Sequence, residues 1–131
     1  MSRRLVVDAS VIVDLLGRFR PEPIEALLFA ADAAIAAPAL LDVEVLQALR
    51  KLDLQGAIPA SRQDLVDSLR ALRIRRYPHA GLLDDIWALR GHLTAYDAAY
   101  VALARQLDAK LVTRDARLAR APGLAVETVL P

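Results

Sequence analysis

"TAYDAAYVALARQLDAKLVTRD", Thr94 to Asp115, holds a helix, a strand and three aspartates within 22 residues. Apolar residues recur at helical spacing from Ala95 to Leu107, and the polar pair Asp108 and Lys110 then breaks the pattern. "KLVT" reads as a short buried strand, and "DARLAR" after it as a helical turn. Of these, Asp97 starts the helix, and Asp115 follows the strand by two residues. A helix that feeds a strand in this way is a unit of a parallel α/β sheet.

The same grammar runs outward along the chain. Leu5-Val6-Val7 is a short strand ending in Asp8, followed by helical spacing from Val11 to Leu16 that Gly17 stops. A loop, "RFRPEP", leads to a helix over roughly Pro23 to Ala31, with proline in its first turn. "AAIAAP", Ala33 to Pro38, is a strand candidate. Leu41, Val45, Leu49 and Leu52 mark a helix over Ala39 to Leu54, and Ser61 caps another with Leu65, Leu69 and Leu72 on its inner face. "RIRRYPH", Arg73 to His79, is expected as an edge strand, and a helix follows over Gly81 to Arg90. "LAVETVL", Leu124 to Leu130, is expected as the last strand. The expected fold is a single α/β domain over 1–131, with a largely parallel sheet of about four to five strands and helices on both faces.

Composition excludes several classes. The chain has 131 residues, 56% of them hydrophobic, so it can bury a sizeable core. No segment approaches the roughly 18 apolar residues of a membrane span. The short run after Arg3 and Arg4 is too brief for a signal peptide. With no cysteine, thiolate metal sites are excluded and a cytoplasmic location is the simple expectation. Seventeen basic and sixteen acidic residues leave a net charge of +1, so any contact with nucleic acid must come from a local patch.

Four acids fall where strands end or helices begin: Asp8, Glu44, Asp97 and Asp115. Each has a structural alternative. Asp8 and Asp115 could cap the helices they precede, and Thr94-x-x-Asp97 has the pattern of a capping box. Gathered at one sheet edge, however, four carboxylates would repel one another unless a cation joined them. An all-oxygen donor set without cysteine or a histidine pair favours Mg²⁺ or Mn²⁺ over zinc. Asp14, four residues before Arg18, reads as half of an exposed helical ion pair. His79 and His92 fall in loops and are assigned no catalytic role. Trp87 is expected in the core or at an interface.

These motifs resemble those of the PIN-domain ribonucleases, and above all the VapC-type toxins of toxin–antitoxin pairs. Asp8 in "VVDASVIVDLL", Glu44 in "LLDVEVLQALRK" and the pair in the Thr94–Asp115 block carry the resemblance over nearly the whole chain. It implies a three-layer α/β/α sandwich and an endoribonuclease that uses Mg²⁺ or Mn²⁺ to activate water. Asp8 and Asp97 would then be the principal metal ligands, with Glu44 and Asp115 bound directly or through water. Ser10 and Thr113 match the polar residues that flank the acids in many members, while Arg117 and Leu118 stand where a further acid is often found. RNA would meet Arg114, Arg117 and Tyr96, with Arg73, Arg75 and Arg76 as a second basic cluster. The resemblance also implies a homodimer and a small antitoxin, one of whose arginines could enter the acidic pocket. Two other readings compete with this one. A haloacid-dehalogenase-like phosphatase would want an acid where Ser10 stands. A catalytically silent PIN-like module would bind RNA or protein without needing all four acids.

Overall fold

The computed structural model describes residues 2–59 and 64–131. The expected cap at Ser61 lies outside them. Five strands form one parallel sheet: β1 (Arg3–Val7), β2 (Ala33–Pro38), β3 (Ile74–Tyr77), β4 (Lys110–Val112) and β5 (Thr128–Val129), in the order β3-β2-β1-β4-β5. Leu5, Val6 and Val7 are buried because β1 is central and covered on both faces, which is why its apolar run does not alternate. Val6 pairs with Ala36 on one side and Leu111 on the other. The edge position expected for "RIRRYPH" is where β3 lies.

Among the described residues, seven helices connect the strands: α1 (Ala9–Gly17), α2 (Glu22–Leu28), α3 (Leu40–Leu54), α4 (Leu65–Ala71), α5 (Leu83–Ala88), α6 (Ala95–Leu107) and α7 (Ala116–Ala119). From β1 to β2 to β3 the chain moves one way across the sheet, and from β3 to β4 it returns over the top. Right-handed crossovers therefore place α1 to α4 on one face and α5 to α7 on the other. Accordingly α1 packs against α2, α3 and α4, whereas α6 lies on β1, β2 and β4. The residues of α6 from Ala98 to Ala104 are all buried, so small alanines let this helix sit close to the sheet.

Some expected boundaries move, for local reasons. The last strand shrinks from Leu124–Leu130 to two residues. Gly123 and Ala125 adopt positive φ, and the carbonyls of Gly123 and Leu124 accept from the Arg105 guanidinium instead of a strand. The helix expected over Gly81 to Arg90 is a 3₁₀ turn at Ala80–Leu82 followed by the shorter α5. Trp87 is not in the core: it is 67% exposed, with the Arg90 guanidinium 4.6 Å above its ring.

The Asp14–Arg18 pair does not form. Helix α1 ends at Gly17, and Arg18 turns into the left-handed region (φ 65°), which aims its side chain at Glu25, 3.4 Å away. Asp14 is instead bound by Arg114, from a hundred residues along the chain.

Candidate active site

The strand order reverses its direction of winding between β1 and β4, and open parallel sheets hold their ligands at such a point, beyond the strands' C-terminal ends. The Asp8 amide donates to the Val112 carbonyl (3.1 Å), locking these two strand ends together. Helices α3 and α6 run back against the strands, so their N-terminal ends, with Glu44 in the second turn of α3 and Asp97 in the first turn of α6, start at the same edge. All four acids singled out in the sequence are thus delivered to one region by backbone topology.

Asp8 is at the centre and only 6% exposed. Ser10 Oγ donates to its Oδ1 and Thr113 Oγ1 to its Oδ2, each at 2.5 Å, and the Val11 amide donates to Oδ1 from 3.4 Å. Burial nevertheless pushes the Asp8 carboxyl above its ordinary range, and the negative charge of Asp97 adds to the rise. Those three hydrogen bonds hold it back.

Around Asp8 the other acids are tied in by separate contacts. The Tyr100 hydroxyl donates to Glu44 Oε1 at 2.5 Å, joining α6 to α3. Burial first, then Glu44, and then the charges of Asp8 and Asp97, push the Tyr100 phenol far up, so it stays a hydrogen-bond donor. One Arg117 Nη2 lies 3.4 Å from Asp97 and 3.3 Å from Asp115, bridging them from an exposed position. Asp115 accepts from the amides of Arg117 (3.0 Å) and Leu118 (3.3 Å), and its own amide donates to Thr113 Oγ1 (3.0 Å).

The cap reading holds for two of the acids. Asp8 and Asp115 do cap α1 and α7. At α6, Thr94 Oγ1 accepts from the Asp97 amide (3.2 Å), leaving the Asp97 carboxylate turned to Arg117.

Among the described residues, no three acids or histidines converge closely enough to enclose a metal ion unaided. Their oxygens are occupied by the hydroxyls of Ser10, Thr113 and Tyr100 and by Arg117. The donor chemistry still fits a hard cation: carboxylate and hydroxyl oxygens are the donors, and the central carboxylate is buried within range of the Asp97 charge. Mg²⁺ takes few protein carboxylates and keeps several waters, which suits a spread-out set.

Other expected contributors divide. Tyr96 is 65% exposed beside Asp97, and Arg117 faces the acids from solvent. Arg114 is different: its side chain is only 9% exposed and is committed to Asp14 and to two backbone carbonyls, leaving little of it for RNA. Arg76 is likewise withdrawn from the basic cluster, its guanidinium bound to Asp42 (2.9 Å) and to the carbonyls of Leu69, Leu72 and Ile74. Arg75 lies over the Tyr77 ring, 5.0 Å from its centre. His79 accepts from the Leu40 amide (2.9 Å), a structural cap for α3. Sequence reasoning did not single out Tyr100. The available signal was a hydroxyl, one turn after Asp97, on a helix otherwise buried as Ala, Val and Leu.

Comparison with known proteins accords with this geometry. Residues 5–124 match the family described as the PIN domain. Ribonuclease VapC1 of Mycobacterium tuberculosis is 42% identical over 127 residues, spanning 95% of this chain and 96% of that one. Ribonuclease VapC9 of the same species is 41% identical over 120 residues, 87% of each chain. A chain of the solved VapBC2 structure from Rickettsia felis, bound to a DNA fragment from its promoter, superposes with a TM-score of 0.67 at 17% identity, over 96% of this chain and 98% of that one. The chain belongs to the PIN-domain family. Within that family it stands with the VapC ribonucleases, at about 40% identity over most of its length.

Proposed function

We propose that this protein is a Mg²⁺- or Mn²⁺-dependent endoribonuclease and the toxin of a toxin–antitoxin pair. The observation that carries the reading is Asp8: a carboxylate buried at the winding reversal of a parallel sheet, within range of the Asp97 charge, in an all-oxygen donor set. Asp8 and Asp97 would hold the cation, with Glu44 and Asp115 completing the site directly or through water. When bound, a divalent cation supplies Lewis acidity toward a phosphate oxygen and a water.

The chain's own residues do the rest. Ser10 and Thr113 hold the Asp8 carboxylate in one orientation, and Tyr100 does the same for Glu44. Arg117 is placed to meet a phosphate, exchanging its contacts with Asp97 and Asp115 for the substrate. Tyr96 offers an exposed ring on which a single-stranded base could stack. No side-chain nucleophile is required.

A small antitoxin is the partner proposed, together with self-association as a homodimer. Support comes from the apolar faces left uncovered: Phe29 on the loop after α2, Val43, Leu46 and Leu54 on α3, and Val66 on α4 are all exposed.

Cleavage of total RNA by the purified protein tests the reading. Mn²⁺ or Mg²⁺ should support cleavage and EDTA should stop it, while Asp8→Asn and Asp97→Asn each lower the rate by about a hundredfold or more. Cleavage that persists in EDTA, or a fully active Asp97→Asn, would overturn it. RNA binding without cleavage would favour the silent-module alternative.

A further inference from the structure

Arg114 lies between two residues of the candidate site, Thr113 and Asp115, yet its side chain points away from them. Its Nη1 binds Asp14 on α1 (3.0 Å) and the Phe19 carbonyl (3.3 Å), and its Nη2 binds the Arg20 carbonyl (2.7 Å). Its backbone amide meanwhile donates to Ser10 Oγ (2.9 Å), the hydroxyl that itself donates to Asp8. Ser10 and Asp14 are one helical turn apart on the same face of α1. Helix α1 therefore holds one residue at two points, by backbone at Ser10 and by side chain at Asp14.

The grip has a further arm. Arg18 and Arg20 both take left-handed backbone (φ 65° and 45°), which costs energy for residues with a Cβ and needs support from their surroundings. The bonds from Arg114 to the carbonyls of Phe19 and Arg20 supply it. One guanidinium thus joins the loop after α1, the α1 helix itself and the turn after β4.

We propose that the Asp14–Arg114 pair is a positioning device for the site. It fixes the turn that carries Thr113 and Asp115 against the helix that Asp8 caps, and so sets the spacing between Asp8 and Asp115. The proposal rests on the ribonuclease reading for its rate effect, but not for its structural effect. A lysine cannot reproduce a planar fork that serves a carboxylate and two carbonyls together.

Asp14→Asn, Arg114→Met and Arg114→Lys are the variants, with steady-state RNA cleavage and amide hydrogen exchange as readouts at a temperature where circular dichroism finds each folded. Asp14→Asn and Arg114→Met should each lower kcat about tenfold with KM within about twofold of wild type. Arg114→Lys should recover only part of the loss. In Asp14→Asn, the amides of Arg114 and Leu118 should exchange at least about tenfold faster than in wild type. A silent Asp14→Asn beside an Arg114→Met that raises KM alone would make Arg114 an RNA contact and overturn the proposal. Variants that melt earlier but keep wild-type kcat and wild-type exchange at Arg114 and Leu118 would overturn it too, leaving a brace for stability only. Should wild type cleave no RNA, the ribonuclease reading falls, and the exchange measurement alone decides the positioning.

Discussion

Single residues at this site do two things at once, and the sequence alone invites a choice between them. Asp8 caps α1 and also presents a carboxylate at the strand end; Asp115 caps α7 in the same way. A cap uses one oxygen and a local amide; the second oxygen is held by Thr113 in Asp8 and by Arg117 in Asp115, contacts that a cation would share or displace. The cost falls on Asp8, whose burial raises its pKa above the ordinary 3.8. For an acid raised in the folded state, ionisation opposes folding: the associated stability is present below the unfolded pKa and is lost as pH rises through the folded one. Asp8→Asn should therefore melt higher than wild type at neutral pH without divalent cation, and the gap should close as pH falls through the carboxylate range. Thermal melts of both proteins from pH 7.5 down to 4 check this. A gap that is constant with pH would assign the change to packing instead of charge.

At the scale of elements, arginines substitute for contacts that short strands cannot make. Strand β3 has four residues and sits at the sheet edge, where backbone pairing on one side alone holds it weakly. Arg76 reinforces it by binding Asp42 on α3 and carbonyls in α4 and around β3, with its own side chain three-quarters buried. Removing it strands several carbonyls and one carboxylate, so Arg76→Ala should cost about 2 kcal/mol, discounted for the partly exposed Asp42. That corresponds to a melting temperature lower by about 5–10 °C for a domain of this size. RNA cleavage measured well below the melt should be unaffected, since Arg76 touches none of the four acids. A lost activity with an unchanged melt would return Arg76 to the substrate surface. The shortened β5 has a related explanation: hydropathy foretold "LAVETVL" as a strand, but positive φ at Gly123 and Ala125 breaks the extended backbone.

For the whole molecule, near-neutral charge and committed arginines limit how RNA can be held. The net charge is +1; among the described residues Arg76 and Arg114 are bound internally, and Arg117 is the arginine paired with Asp97 and Asp115. Counterion release scales with the number of phosphates neutralised, at about 0.7 per contact for a single strand. Two or three contacts predict a log–log slope of affinity against salt of about −2 or shallower. Fluorescence anisotropy of labelled RNA with an Asp97→Asn variant, between 50 and 300 mM salt, gives the slope. A value near −5 would require about seven phosphate contacts and would overturn this expectation.

Much of this was legible in the chain itself. Apolar runs ended by Asp8 or by "TRD", and helical spacing between them, specify a parallel α/β sheet, because strand and helix periods follow from backbone geometry. The four acids were legible for the same reason, since strand C-termini and helix N-termini meet at one edge. Partnerships were not: Asp14 faces Arg114 and not Arg18, and Glu44 meets Tyr100 across 56 residues. Local periodicity determines what each segment becomes, whereas only packing decides which distant side chains touch. The aspartates of the opening strand–helix unit thus owe their positions to sequence, and their orientation and charge state to tertiary neighbours.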